Sequence, residues 1–165
     1  MHKRKWLFHI SLFLLLGLFS FFRSMAAIDS LPAFRIMLTK GNYFTAHDLP
    51  RNRPVLLIYF SPECEHCLHL MNELFPRMNE LKGVEIILAT FRPLVELPDF
   101  ETRYQTAKYS NIVVGTEGTT YYLRYYFKIE KTPFIALYDK KGNLVASYKN
   151  ETPVNEVVQK LKALK

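Results

Sequence analysis

Cys64 and Cys67 are the only two cysteines in the 165-residue chain, and they stand three apart in Phe60-Ser61-Pro62-Glu63-Cys64-Glu65-His66-Cys67. A thiolate attacks a disulfide sulfur, and a second thiol within reach can then resolve the mixed disulfide that forms. Three residues apart on a helix, the two side chains share a face and come within bridging distance. A bridge closing so short a loop removes little entropy from the unfolded chain, so a purely structural disulfide would add little stability. The spacing points to redox exchange, with Cys64 as the attacking thiol and Cys67 as the resolving one. Such exchange needs no bound cofactor, because the reacting group is the Cys64–Cys67 dithiol and its disulfide.

The neighbouring sequence shows how such a pair would be positioned. Val55 to Phe60 is an unbroken apolar run of six, which suits a strand buried on both faces. Ser61-Pro62-Glu63 ends it. From Cys64 to Lys82, Leu70, Leu74, Met78 and Leu81 recur at helical spacing, and Gly83 stops the run. Cys64 thus opens a helix, where unpaired N–H groups and the positive end of the helix dipole favour a thiolate. Its charged neighbours pull in opposite directions. His66 stabilises a thiolate when protonated, whereas Glu63 and Glu65 oppose one. These three residues are therefore expected to modulate the pair.

Val84 to Thr90 reads as a second buried strand, completing a parallel β-α-β unit with a right-handed crossover. Ahead of it, Phe34 to Leu38 and Tyr43-Phe44 flank the turn Thr39-Lys40-Gly41-Asn42 and predict a small hairpin. Asp48 to Arg53 reads as a loop. After the unit, Arg92 to Pro98 is proline-punctuated and reads as a loop, Phe100 to Tyr109 as a helix, and Ile112 to Val114 as a short strand. Thr119 to Phe127, with five aromatic residues, reads as a helix packing an aromatic face on the sheet. Phe134 to Tyr138 and Leu144 to Tyr148 flank a turn sequence and predict a hairpin. Val154 to Leu164 closes the chain as an amphipathic helix. No internal repeat or low-complexity segment interrupts this order, which predicts one domain.

The first 27 residues differ from the rest. A basic head, His2 to Lys5, precedes Trp6 to Phe22, 17 residues without Asp, Glu, Lys or Arg. Residues 1–27 are expected to be a signal peptide or a transmembrane anchor; the length of the apolar run and the small residues at Ser24-Met25-Ala26 allow either. Residues 28–165 would form the folded domain on the extracytoplasmic side, the basic head staying in the cytoplasm. The net charge of +7 partly reflects this segment. Removing Lys3, Arg4, Lys5 and Arg23 from the 22 basic residues leaves 18 against 15 acidic ones. A surplus of three, scattered along the chain, does not argue for a nucleic-acid partner.

From Phe34 to the C-terminus the sequence resembles the thioredoxin-like proteins, in particular the TlpA/ResA-type envelope thiol-disulfide oxidoreductases. The resemblance rests on the entry hairpin, the strand ending in Phe60-Ser61-Pro62, the Cys64-Glu65-His66-Cys67 motif, and Thr132-Pro133 leading into Phe134-Ile135-Ala136-Leu137-Tyr138. It implies an α/β fold with a central mixed sheet flanked by helices. It also implies a cis Thr132-Pro133 bond beside the cysteines, where the backbone grips substrate polypeptide. The long stretch between Thr90 and Thr132 matches the insertion that distinguishes TlpA/ResA-type members. The expected activity is thiol–disulfide exchange with envelope proteins, as a reductant served by a membrane redox partner. Three departures stand out: Glu63 replaces the usual tryptophan, Ile58 replaces the buried aspartate of classical thioredoxins, and Pro76 comes later than the usual helix kink.

Rival chemistries fit less well. A c-type haem site needs His where Leu68 stands. Zinc needs two further ligands, for which only His47, His66 and His69 offer themselves. A peroxiredoxin needs a proline in place of Leu57. A copper chaperone on the same fold is the main alternative, with Cys64 and Cys67 joined by His69 or Met71.

Overall fold

The computed structural model describes residues 30–165. The expected targeting or anchor segment lies outside the described residues. Strand β3 (Val55–Phe60) is buried along its whole length, and its period-two alternation divides it between two cores. Leu56, Ile58 and Phe60 face a layer built by helices α1 (Glu65–Leu74), α2 (Leu97–Tyr104) and α4 (Val154–Ala163). Val55, Leu57 and Tyr59 face Phe34, Leu123, Phe127 and Ile129 on the other side. Each large apolar side chain withdrawn from water stabilises the fold by about 1.5–3 kcal/mol. A strand buried on both faces therefore has a strongly fixed register.

The remaining strands are β1 (Arg35–Met37), β2 (Tyr43–Thr45), β4 (Glu85–Thr90), β5 (Ile112–Thr116), β6 (Phe134–Tyr138) and β7 (Leu144–Lys149). They form one sheet in the order β2-β1-β5-β4-β3-β6-β7. β3, β4 and β5 run parallel, while β6 and β7 are antiparallel to their neighbours. This is the mixed, helix-flanked sheet that the resemblance implied. The β1–β2 hairpin joins it through the single register pair Met37–Thr116. Gly115 permits that junction, since a Cβ there would lie 2.8 Å from the Met37 carbonyl oxygen.

Strand direction assembles the site. The C-terminal ends of β3, β4 and β5 lie together because these strands are parallel. β6 runs the opposite way, with Phe134 in register with Tyr59, so its N-terminal end reaches the same edge of the sheet. Cys64, Arg92, Glu117 and Thr132 all leave the sheet there.

Four expected elements have different bounds or faces. The helix expected from Cys64 to Lys82 is α-helical only over Glu65–Leu74 and continues as a 3-10 helix, Phe75–Leu81, with Pro76 in its first turn. A proline lacks the N–H that an α-helix interior requires, so the chain tightens at that point. The expected loop from Arg92 to Pro98 contains a short 3-10 helix and the start of α2, where Pro98 occupies a favoured first-turn position. α2 ends at Tyr104, before the left-handed Gln105, and Thr106–Lys108 form a separate 3-10 turn. In helix α3 (Tyr122–Phe127), Leu123 and Phe127 are buried, while Tyr122 and Tyr125 are exposed. The expected aromatic face is thus split: Phe127 and Tyr126 pack on the core beneath the sheet, whereas Tyr122 and Tyr125 turn outward.

Candidate active site

Cys64 is the N-cap residue of α1. Its sulfur accepts the backbone N–H of Cys67 at 3.3 Å, and its thiol donates to the Thr132 carbonyl oxygen at 3.4 Å. Thr132-Pro133 is a cis peptide bond, and of the two predicted substrate-facing residues Thr132 touches the first cysteine through its carbonyl. Partial burial opposes ionisation of Cys64. Hydrogen bonds from Cys67, from the Thr132 side chain and from the N–H groups of Cys67 and His66 outweigh it and hold this thiol below its ordinary value. For Cys67 the balance is reversed. It is fully buried in the same core as Ile58, Leu70 and Phe60. Burial, followed by the bond to Cys64, pushes its thiol up to about 12. Both cysteines are free thiols. One is partly exposed and poised to ionise, whereas the other is enclosed and stays protonated at neutral pH.

Ile58, where classical thioredoxins carry a buried carboxylate, is fully buried in the core that contains Cys67. A buried carboxylate sits on the opposite face instead. Glu117, immediately after β5, accepts the Tyr59 hydroxyl at 2.6 Å and the Leu123 N–H at 2.7 Å. It ties the end of β3 to the first turn of α3. Burial and this bond raise the Tyr59 hydroxyl far above its ordinary value. Nothing in the sequence marks Glu117, which is an acid following an apolar strand and looks like a surface residue.

The expected modulating residues occupy unequal positions. Glu65 and His66 are exposed on the first turn of α1. Glu63 is 70% exposed at its side chain and paired with Arg92 at 3.1 Å. Arg92 also bonds Glu96 through two nitrogens, at 2.7 and 2.9 Å. Its backbone is fixed as well: its N–H donates to the Thr90 hydroxyl, and its carbonyl accepts the Thr116 hydroxyl. Arg92 thus places a cation beside the acid that precedes Cys64, a role hidden in a stretch that reads as a loop. His69 bonds Glu73 one turn along the helix at 2.9 Å, and Met71 is buried in the core. No group of three or more His, Cys, Asp and Glu among the described residues is arranged to hold a metal. The same residues contain no helix long and apolar enough to cross a membrane.

Residues 49–165 match the family model described as a thioredoxin-like domain. No curated protein matches the sequence. Among solved structures, MTB DsbF, in its mixed oxidised and reduced forms, superposes with a TM-score of 0.68 at 16% identity, covering 81% of this chain and 96% of that one. A secreted Mycobacterium tuberculosis disulfide oxidoreductase homologous to E. coli DsbE gives 0.67 at 17%, covering 80% and 96%. The thioredoxin domain of a thiol-disulfide oxidoreductase from Bacteroides vulgatus gives 0.67 at 21%, covering 86% and 100%. A sheet with a CxxC-capped helix at its carboxyl edge and a cis-proline beside it defines the class, and the matched model fixes the family. The chain belongs to the thioredoxin-like family.

Proposed function

We propose that this protein is a thiol–disulfide oxidoreductase of the TlpA/ResA type that reduces protein disulfides in the cell envelope through Cys64 and Cys67. The observation that carries the reading is the asymmetry of the two thiols. Cys64 is partly exposed, capped by the Cys67 N–H and next to the Thr132 carbonyl, while Cys67 is enclosed. The Cys64 thiolate attacks one sulfur of a client disulfide and expels the other as a thiolate, forming a mixed disulfide. Cys67 then gives up its proton as it attacks the Cys64 sulfur. The Cys64–Cys67 disulfide forms, and the client leaves as a dithiol carrying the two electrons. Thr132 and Pro133 serve as the turn along which client backbone lies.

Burial that keeps Cys67 protonated limits ionisation of the dithiol pair and so favours the disulfide, even with Cys64 held below its ordinary value. This is the property of an electron donor. A membrane redox partner would return the dithiol state. The expected location follows from residues 6–22, which hold the domain at the membrane or export it, and from the likeness in fold to a secreted disulfide oxidoreductase. The clients are disulfide-containing envelope proteins. Reduction of a protein disulfide by the full-length chain tests the reading. Cys64→Ser should abolish turnover, and Cys67→Ser should accumulate mixed disulfides. Turnover surviving in the Cys64→Ser variant would overturn it.

A further inference from the structure

A cleft of about 380 Å³ opens beside Thr132 and is lined by Tyr59, His66, Phe91, Arg124 and Lys131 among others. Through Ile129, Glu130, Lys131 and Asn150 it continues into a second hollow of about 200 Å³, which adds Lys128 and Lys149. Thr132 lines this groove and also carries the carbonyl 3.4 Å from the Cys64 sulfur. A chain lying in the groove therefore runs beside Thr132, the residue whose carbonyl bonds the nucleophile. Among the described residues that line it stand four cations, Arg124, Lys128, Lys131 and Lys149, against the single acid Glu130.

Among the described residues, none of the four cations forms an ion pair with a carboxylate. Arg124 is the most constrained of them. It is half-buried, and its guanidinium lies over the Phe91 ring, 5.3 Å from the centroid. The buried Glu117 carboxylate, which accepts the Tyr59 hydroxyl and the Leu123 N–H, forms no ion pair with it. A guanidinium held by a ring, with no carboxylate partner among the described residues, is suited to bond a carboxylate brought by a ligand.

We infer that this groove recognises an acidic segment of client polypeptide adjacent to the client's reactive cysteine. The inference rests on the oxidoreductase reading above and gives that site a substrate class. Charge complementarity of this kind sets orientation and encounter rate, and added salt weakens it.

The test measures binding of two thiol-free peptides to the full-length chain. One carries three glutamates beside a serine that stands in for the client cysteine, and the other carries three lysines. At low salt the glutamate peptide should bind at least about tenfold more tightly, with the preference shrinking as salt screens the charges. Arg124→Gln should reduce the ratio about three- to tenfold, and Arg124→Lys should restore part of it. Lys131 is exposed, so Lys131→Gln tests the groove without touching a packed side chain. Equal affinities for the two peptides, or a ratio unmoved by both glutamine variants, would overturn the inference. So would phosphatidylserine vesicles binding in a way both variants weaken while the peptides show no preference, since the cations would then serve a lipid surface. Reduction of hydroxyethyl disulfide is scored separately. Its failure with the peptide preference intact would sink the redox reading and leave the groove standing.

Discussion

On one side of Cys64 the charges hold one another. Arg92 bonds Glu63 and Glu96, and the cleft on that flank, lined by Pro62, Glu63, Leu68, Glu96, Asp99 and Arg103, carries acids as well as a cation. On the other side Arg124, Lys128, Lys131 and Lys149 have no carboxylate partner among the described residues. The two flanks also open toward different cores. Phe100 on the first belongs to the layer that encloses Cys67, and Tyr59 on the second belongs to the opposite face. Charges paired within the chain fix a loop, whereas unpaired ones remain available to a ligand. Both sets meet at one thiol, so the first should set the reactivity of Cys64 and the second should select what reaches it.

The largest effect is expected where the second flank is anchored. Glu117→Leu removes the acceptor for two buried donors, the Tyr59 hydroxyl and the Leu123 N–H. Stability should fall by about 1–3 kcal/mol for each donor left unsatisfied, read from denaturant midpoints. A loss below 1 kcal/mol would mean that the carboxylate does not hold α3 to the sheet.

Next comes the first flank. Arg92→Ala leaves Glu63 uncompensated beside Cys64, which disfavours the thiolate and raises the Cys64 pKa. Alkylation at pH 7 should slow by about 1.4- to fivefold, the range that a partly exposed ion pair of about 0.2–1 kcal/mol permits. Glu63→Gln in the same background should restore the rate. Failure of that rescue would show that Arg92 acts by holding the loop rather than by its charge.

The smallest effect lies away from both flanks and serves as their reference. Glu80 accepts hydrogen bonds from Arg77 within the 3-10 helix and from Lys162, which ties that helix to α4. The Arg77 bond first, then Lys162, draws its carboxyl down to about 2 from 4.5. A depressed carboxyl stabilises the folded state fully above its unfolded value. That contribution is lost as pH falls from about 4.5 toward 2. Glu80→Gln should flatten the acid limb of stability in that window and leave the rate of Cys64 alkylation unchanged.

The sheet, the order of its elements and the cysteine pair were legible in the sequence for a physical reason. A six-residue apolar run such as Val55–Phe60 has few ways to be satisfied other than as a doubly buried strand. Leu70, Leu74, Met78 and Leu81 are all buried as expected, although the helix changes type at Phe75, because either helix type keeps those positions on one side. What could not be read were roles created by tertiary contact. Glu117 has a structural role only because Tyr59 and Leu123 converge on it. Arg92 was hidden in a proline-rich stretch that folds into the start of α2, and Arg124 among tyrosines that suggested a buried aromatic face. Polar residues show their partners only after the strands are in register.

In the reduced protein one thiol of the pair reacts while the other waits. Mapping the site and rate of iodoacetamide alkylation on the reduced full-length chain across pH 5–10 tests this directly. A single thiol should titrate below the ordinary cysteine value, with the label on Cys64 and Cys67 unmodified throughout. Labelling of Cys67 first, or both thiols reacting together at the ordinary value, would contradict it.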